Sequence, residues 1–368
     1  MRQKSPSTDR PDKPWHKVVS QGSPTRNFAA AAVFKPSPNF YVFSFPINLT
    51  MQSYNNPRLN PENFKDGPLS VNAATRLRQM LARPGVIVCP GVFDGVSVRL
   101  ALEAGFECLY QSGAAVTASR LGQPDLAMAT LNDFADAARI HCSINPTVPI
   151  IADADTGFGG PNMVARTVAQ YARAGIAGLH IEDQVQTKRC GHLMGKELVS
   201  TEEFIMRIRA ATIGRDSIPG GSDIVIIARS DAAQSLGAKE AINRLKLAAD
   251  AGADLLFFEG VRSREDLQLA VKSLAPKPVL LNVVAGGVSP DFTAEEGEAL
   301  GAKLIIYPLV TVVPAIHAMR ESLQSLKRTG SDVESAKGMG PKQFFEVMGL
   351  DDAIKLDTTA GATSLSSI

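Results

Sequence analysis

From Val71 to about residue 330, short apolar runs alternate with longer amphipathic segments. The runs Val86–Cys89, Cys108–Ser112, Pro149–Asp153, Gly178–Glu182, Ile224–Arg229, Leu255–Glu259, Val279–Asn282 and Leu304–Tyr307 are each bounded by Gly, Pro or a polar residue. That pattern predicts eight short buried strands. Between them the spacing turns helical. In Lys239–Ala251, residues Ala241, Ile242, Leu245 and Ala248 fall on one face. Gly105, Gly175 and Gly252 stand between a helical pattern and the next strand, where a helix C-terminus favours glycine. Eight strands alternating with helices predict an α/β fold, a closed parallel (β/α)8 barrel of the TIM type. A doubly wound open sheet is the competing architecture. It usually brings a phosphate-binding glycine fingerprint, and Gly157-Phe158-Gly159-Gly160 lacks the GxGxxG spacing, so it reads as a loop.

The flanks differ from this core. Residues 1–70 are rich in Pro, Ser, Asn and basic residues and show no sustained period, which predicts a disordered extension. An acid-poor basic segment is also compatible with a mitochondrial presequence, against which the prolines, Asp9 and Asp12 count. The default expectation is a cytoplasmic protein. Residues 71–330 make the barrel, and residues 331–368 a C-terminal helical segment and tail. The bulk numbers narrow the function class. Hydrophobic content of 45% and charged content of 20% suit a globular enzyme, and no apolar stretch is long enough to span a bilayer. A net charge of +1 and a single Trp offer neither the field nor the stacking surface of a nucleic-acid binder. Cys89, Cys108, Cys142 and Cys190 have no zinc-type spacing and predict free thiols in a reducing compartment.

The strand ends carry the chemistry. Tyr110 and Ser112, Asp153 and Asp155, Glu182, Arg229, Glu259 and Asn282 all lie at C-terminal ends, which meet on one face of a barrel. Asp153, Asp155 and Glu182 are candidate ligands for a hard cation such as Mg²⁺, which takes oxygen ligands and keeps waters. Alternatively, Asp155 caps the following segment and Glu182 pairs with an arginine. Arg229 closes an apolar run and needs an anion, either substrate oxygen or the carboxylates of Asp231 or Glu259. Ser112-Gly113-Ala114 offers backbone N–H groups to a carboxylate, or simply turns the chain. Lys188-Arg189-Cys190-Gly191-His192 sets a thiol among two cations and an imidazole, a setting that shifts a thiol pKa and favours proton exchange. Inert packing is the other reading of Cys190, and a satisfied loop histidine the other reading of His192.

Taken together and in this order, Pro90-Gly91-Val92-Phe93-Asp94, Tyr110–Gly113, Gly122-Gln123-Pro124-Asp125, Asp153–Gly160, His180–Gln184, Lys188–His192 and Ala228–Asp231 resemble the isocitrate lyase/phosphoenolpyruvate mutase superfamily. The resemblance spans about Ala74 to Asp357. It implies Mg²⁺, with Mn²⁺ as a substitute, bound to a 2-oxo or 2-hydroxy acid. It also implies a homotetramer, a dimer of dimers in which the last helix swaps between subunits. By motif position it makes Asp153 the direct metal ligand and Asp155 and Glu182 holders of metal-bound water, with Asp125 a further acid nearby. Ser112, Gly113 and Ala114 match the segment holding the substrate carboxylate, and Arg229 the substrate arginine. Glu259 and Asn282 match contacts to substrate or its distal carboxylate, and Lys188–His192 the mobile gating loop.

Phosphonomutases resemble this pattern but lack the loop cysteine, so Cys190 points to carbon–carbon cleavage. The chain has no room for the insertions of the larger isocitrate lyases. Gly338–Lys342 and Phe345-Glu346-Val347 resemble a fungal branch holding oxaloacetate acetylhydrolase and 2,3-dimethylmalate lyase. Its hydrolases carry a serine after strand eight that can bond hydrated oxaloacetate, whereas Pro308 stands at the matching position here. A proline favours a methyl-bearing substrate. The expectation is therefore retro-aldol cleavage of a 2,3-dimethylmalate-like acid, with a base near Tyr110, charge stabilisation by Arg229 and the cation, and protonation by Cys190. Oxaloacetate hydrolysis, 2-methylisocitrate cleavage and a barrel without catalysis are the alternatives, in that order.

Overall fold

The computed structural model describes residues 56–363. The expected extension therefore lies outside the described residues up to position 55. Its last part is folded. Two 3-10 turns, Pro57–Leu59 and Pro61–Phe64, are capped by the side chains of Asn56 and Asn60 and bury Leu59 and Phe64. The proline at the first position of each turn lacks only a donor that the turn would leave unused.

Eight parallel strands close into a barrel in sequence order. They are β1 (Ile87–Val92), β2 (Leu109–Gln111), β3 (Ile150–Asp153), β4 (Gly178–Glu182), β5 (Val225–Ser230), β6 (Leu255–Phe258), β7 (Val279–Asn282) and β8 (Leu304–Tyr307). The eight predicted runs and the (β/α)8 class are borne out. The main difference is β1, which continues through Pro90 and Gly91 because β2 and β8 pair with it on both sides. The predicted helical face is also observed: helix Ala238–Asp250 buries Ala241, Ile242, Leu245 and Ala248. Gly105, Gly175 and Gly252 all have φ between +85° and +104°, the left-handed conformation that only glycine adopts without strain.

The core has two layers, and strand parity assigns residues to them. Ile151, Val225, Ile227, Leu255, Phe257 and Leu280 belong to the layer inside the barrel, closed at its base by Leu77 of helix Ala73–Ala82. Their neighbours Ala152, Ile226, Ala228, Leu256 and Leu281 pack outward against helices. Continuing the inward parity by two residues along each strand leads to Tyr110, Asp153, Glu182, Arg229, Glu259 and Asn282. The same period that fills the barrel with aliphatic side chains thus turns these six polar ones toward its axis at the C-terminal mouth.

Past the barrel, helix Val312–Thr329 is followed by Val333–Ala336, Pro341–Val347 and Leu350–Thr359. These last three helices bury no residue, and Phe344, Phe345 and Leu356 stand exposed. Among the described residues, no helix is long and apolar enough to cross a membrane.

Candidate active site

The strand ends converge as the parity requires. Asp153 is in register with His180, and Glu182 with Arg229. Beyond β3 the chain reverses through Asp155, whose φ is +47°, and Asp155 N–H donates to Asp153 Oδ1 at 2.9 Å. Ser112 caps helix Gly113–Leu121 by accepting from Ala115 N–H, so Ser112-Gly113-Ala114 is a helix N-terminus and not a plain turn. Gly113 is needed there: a Cβ would stand 2.3 Å from Asp153 Oδ2. Free N–H groups at a helix start, beside the cation candidates, form a ready anion site.

The loop Lys188–His192 lies across this mouth. Lys188 Nζ meets Asp125 Oδ1 and Asp155 Oδ1, each at 2.6 Å. Cys190 N–H donates to the carbonyl of Asp125 at 3.2 Å. Gln184 grips the Arg189 backbone at both N–H and C=O. The two cations flanking the thiol therefore diverge: Lys188 is buried against carboxylates, and Arg189 is exposed. Gly191 packs directly against the barrel mouth, since a Cβ would lie 2.4 Å from Arg229 Nη2 and 2.8 Å from Glu259 Oε1. His192 accepts from Val288 N–H through Nδ1 at 3.1 Å, which places its proton on Nε2, 3.4 Å from Glu259 Oε1. Asn282 Nδ2 donates to Glu259 Oε2 at 3.1 Å and lies beside the His192 ring. Pro308 is buried just beyond β8, its carbonyl facing Gly91 so closely that a Cβ on Gly91 would collide with it.

Arg229 is not a free anion clamp. Its Nε and Nη2 donate to Asp231 at 2.9 and 3.1 Å, and Nη1 lies 3.2 Å from Glu182 Oε2. Both pairings weighed from sequence, Arg229 with Asp231 and Glu182 with an arginine, are therefore present. The capping alternative for Asp155 is not: helix Pro161–Ala174 starts at Gly160 without a side-chain cap.

Several groups emerge only in three dimensions. His180 Nε2 is 2.8 Å from the Tyr110 hydroxyl, and its Nδ1 is 3.6 Å from Asp153. Lys196 Nζ joins Asp231 Oδ1 at 2.8 Å to the carbonyl of Gly191 at 2.6 Å, tying the loop to the carboxylate that orients Arg229. Asp183 accepts from Ser230, the Asp231 backbone and Arg244. The inward parity of β4 marks His180; no local signal marks Lys196 or Arg244.

Burial and crowding set the protonation states. Burial, with Asp153 and Asp125 adding to it, pushes Asp155 up to about 7 despite Lys188. Burial likewise raises Glu182 in spite of Arg229. Burial alone would raise Asp153 as well, but His180, Lys188 and Arg229 together hold it below the ordinary value. Burial lowers His180 to about 4 and also lowers His192, keeping both imidazoles neutral at pH 7. The Cys190 thiol is pushed up to about 11, by burial first and by Asp125 second. The basic flank does not make a thiolate here, because one of its cations is spent on carboxylates and the other points away.

The residues fit a hard divalent cation. Both Glu182 oxygens and Asp155 Oδ1 are buried without a hydrogen bond. Lys188 contacts Asp155 Oδ1 at 2.6 Å and Arg229 contacts Glu182 Oε2 at 3.2 Å, and each of these oxygens keeps a further lone pair to offer. Among the described residues, no three His, Cys, Asp or Glu side chains converge tightly enough to form a metal cage by themselves. A cation held here would therefore need water for part of its coordination shell, which hard divalent cations tolerate.

A cavity of about 570 Å³ lies elsewhere, at the opposite end of the barrel.

A family model described as phosphoenolpyruvate phosphomutase matches residues 77–327. The 2,3-dimethylmalate lyase of Eubacterium barkeri is 36% identical over 283 residues, 76% of this chain and 96% of that protein. A solved oxaloacetate acetylhydrolase, bound to the inhibitor 3,3-difluorooxalacetate, superposes with a TM-score of 0.78 at 49% identity, covering 81% of this chain and all of the other. A solved 2,3-dimethylmalate lyase gives a TM-score of 0.77 at 50% identity over 80% and 97% of the two chains. A phosphonopyruvate hydrolase solved with oxalate and Mg²⁺ matches at 29% identity and a TM-score of 0.68, over 78% and 98%.

Proposed function

This chain belongs to the phosphoenolpyruvate mutase/isocitrate lyase superfamily, and we propose that it is a magnesium-dependent carbon–carbon lyase that cleaves a substituted malate of the 2,3-dimethylmalate type to pyruvate and a second carboxylate. The observation that carries this reading is Cys190, a protonated, largely buried thiol held over the carboxylate-lined mouth by a docked loop.

When bound, a divalent cation supplies Lewis-acid polarisation of the 2-oxygen of the hydroxy acid. Asp153 is its direct ligand in this proposal, with Asp155, Glu182 and Asp125 ordering the surrounding water. The substrate carboxylate is taken by Ser112 and the N–H groups of Gly113 and Ala114. The hydroxyl proton leaves toward the Tyr110–His180 pair, which can accept it because His180 is neutral. The C2–C3 bond breaks, its electrons moving onto C3 and the adjoining carboxylate. Cys190 Sγ–H then gives its proton to C3. Arg229 offsets charge on the pyruvate oxygen, and Glu259, Asn282 and His192 line the distal side. Proton balance is restored with solvent when the lid opens. The docked lid excludes water while the carbanion exists.

Substrate choice rests on Pro308, which brings no side-chain donor to the end of β8 and adds apolar surface where a methyl group would pack. Oxaloacetate hydrolysis to oxalate and acetate is the second reading, favoured by the 49% identity to a solved acetylhydrolase, against 50% to the lyase. Subunit pairing through the C-terminal helices, giving a tetramer, is supported by the exposed Phe344, Phe345 and Leu356.

The decisive experiment is a panel of 2,3-dimethylmalate, 2-methylisocitrate, oxaloacetate and phosphonopyruvate with Mg²⁺. Pyruvate formed fastest from dimethylmalate, and lost in Cys190→Ser with Mg²⁺ binding intact, is the expected result. Oxalate formed faster from oxaloacetate would replace this reading with the hydrolase. A Cys190→Ser variant of undiminished turnover would remove the thiol from the mechanism.

A further inference from the structure

The 570 Å³ cavity at the base of the barrel has the size of a small-molecule site, and its walls are strongly cationic. Lys65, Arg78, Arg215, Lys277 and Lys303 line it, against only Glu62 and Asp254; five cations and two acids leave a lining charge of +3. Lys65 is paired with Glu62 at 2.6 Å, and Asp254 is shared by Arg78 at 2.9 Å and Arg215 at 3.0 Å. Lys277 and Lys303 have no carboxylate within ion-pair distance among the described residues. Lys277 Nζ donates to the carbonyl of Ala253 at 2.8 Å, and Lys303 Nζ to those of Arg83 and Gly85. An ammonium has three donors, so one is left on Lys303 and two on Lys277. Arg215, 1% exposed, spends Nε on Asp216 and Nη1 on Asp254 and leaves Nη2 without a protein partner among the described residues.

Three of the five cations are thus ion-paired, while Lys277 and Lys303 line the void without a carboxylate partner among the described residues and Arg215 keeps a spare donor. Burial lowers the Lys277 pKa, and Asp254, already shared by Arg78 and Arg215, offsets this only in part. The remaining wall is apolar, from Leu59, Phe64, Leu81 and Pro276. Bare inorganic ions do not need such a wall; an organic anion does.

We propose that the base of the barrel is a binding site for a small polyvalent organic anion, a polycarboxylate or a phosphate monoester, whose charged groups meet Lys277, Lys303 and Arg215 and whose carbon body packs on Phe64 and Leu81. The site stands on different elements from the catalytic mouth and does not depend on the reaction proposed there.

The test is calorimetric titration of the whole chain at constant ionic strength and without added Mg²⁺, using tricarballylate in one arm and glycerol 3-phosphate in the other, with binding shared by wild type and the lysine variants assigned to the mouth. Wild type should bind at least one probe at one per chain, and the arm that binds identifies the headgroup. Lys277→Met with Lys303→Met should weaken that binding about tenfold or more, while turnover at the mouth stays within about twofold. Lys277→Arg should retain binding. Should the Lys303 change disturb folding, Lys277→Met alone decides. Absence of binding of either probe at millimolar concentration, or equal binding by wild type and the lysine variants, would overturn the assignment.

Discussion

Gly191→Ala is expected to prop the lid open and to cost about a hundredfold in kcat. The added methyl would sit 2.4 Å from Arg229 Nη2, whereas heavy atoms in contact prefer about 3.5 Å, so roughly 1 Å of relief is needed. The barrel side cannot give way. Arg229 is fixed by two bonds to Asp231, and Glu259 is held by Asn282. The movement must come from the lid, which also stretches the 2.6 Å bond from Lys196 to the Gly191 carbonyl. A displacement of about 1 Å between a proton donor and its carbon typically costs about two orders of magnitude. Two assays are needed. Pyruvate formation reports kcat, and iodoacetamide labelling reports the lid, cleanly, since Cys89, Cys108 and Cys142 are buried. The variant should turn over about a hundredfold more slowly, label faster at Cys190, and keep its melting temperature. Wild-type turnover and labelling would refute the docked-lid geometry; slow turnover with unchanged labelling would locate the damage at Arg229 instead.

Three further outcomes follow from the geometry. Because burial holds Asp155 near 7, a cation must displace its proton below that pH; Mg²⁺ affinity measured by titration should fall about tenfold from pH 8 to pH 6, and a flat profile would remove Asp155 from the cation site. Asp254 would be raised by burial, yet its two arginines hold it below the ordinary carboxylate value, so its stabilisation is complete above the unfolded pKa of about 4 and is lost as pH falls through the lower folded one. Asp254→Asn should accordingly cost about 3 kcal/mol in urea denaturation at pH 7 and much less near pH 2, the reverse trend being the disproof. Phe344→Asp with Phe345→Asp should lower the oligomeric state in light scattering while the barrel stays folded, and an unchanged mass would exclude these helices from subunit pairing.

Most of the fold was legible because the barrel repeats one local pattern eight times. Each strand is apolar and short, and several helices stop at a glycine in the left-handed conformation. The weak points were places where local signals and tertiary pairing disagree. Pro90 and Gly91 look like terminators, yet β1 runs through them because both neighbouring strands are in place. The segment 57–64 has too few apolar residues to predict order, but Phe64 and Leu59 find burial at the barrel base. At the mouth, the acidic strand ends were readable as residues and the lid as a motif. Their partners were not. That Lys188 turns inward while Arg189 turns out, or that Lys196 reaches Asp231 across 35 positions, depends on how the lid folds over strands distant in sequence. The thiol pKa was foreseen to shift, but its upward direction follows from burial, which charge order along the chain does not encode.

The inward parity of the strands has a consequence for how this protein tolerates change. Tyr110, Asp153, Glu182, Arg229, Glu259 and Asn282 each reach the axis because each stands two positions along its strand from another inward-facing residue. Replacing one aliphatic residue in a strand by another leaves that count intact and the site in place. Deleting or inserting a single residue within a strand inverts it, sending the polar end group out among the helices and an apolar neighbour into the mouth. Sequence drift in this barrel is therefore expected to proceed by exchange within strands, while changes of length are confined to the loops between strands and helices, where they alter the walls of the mouth without turning its chemistry inside out.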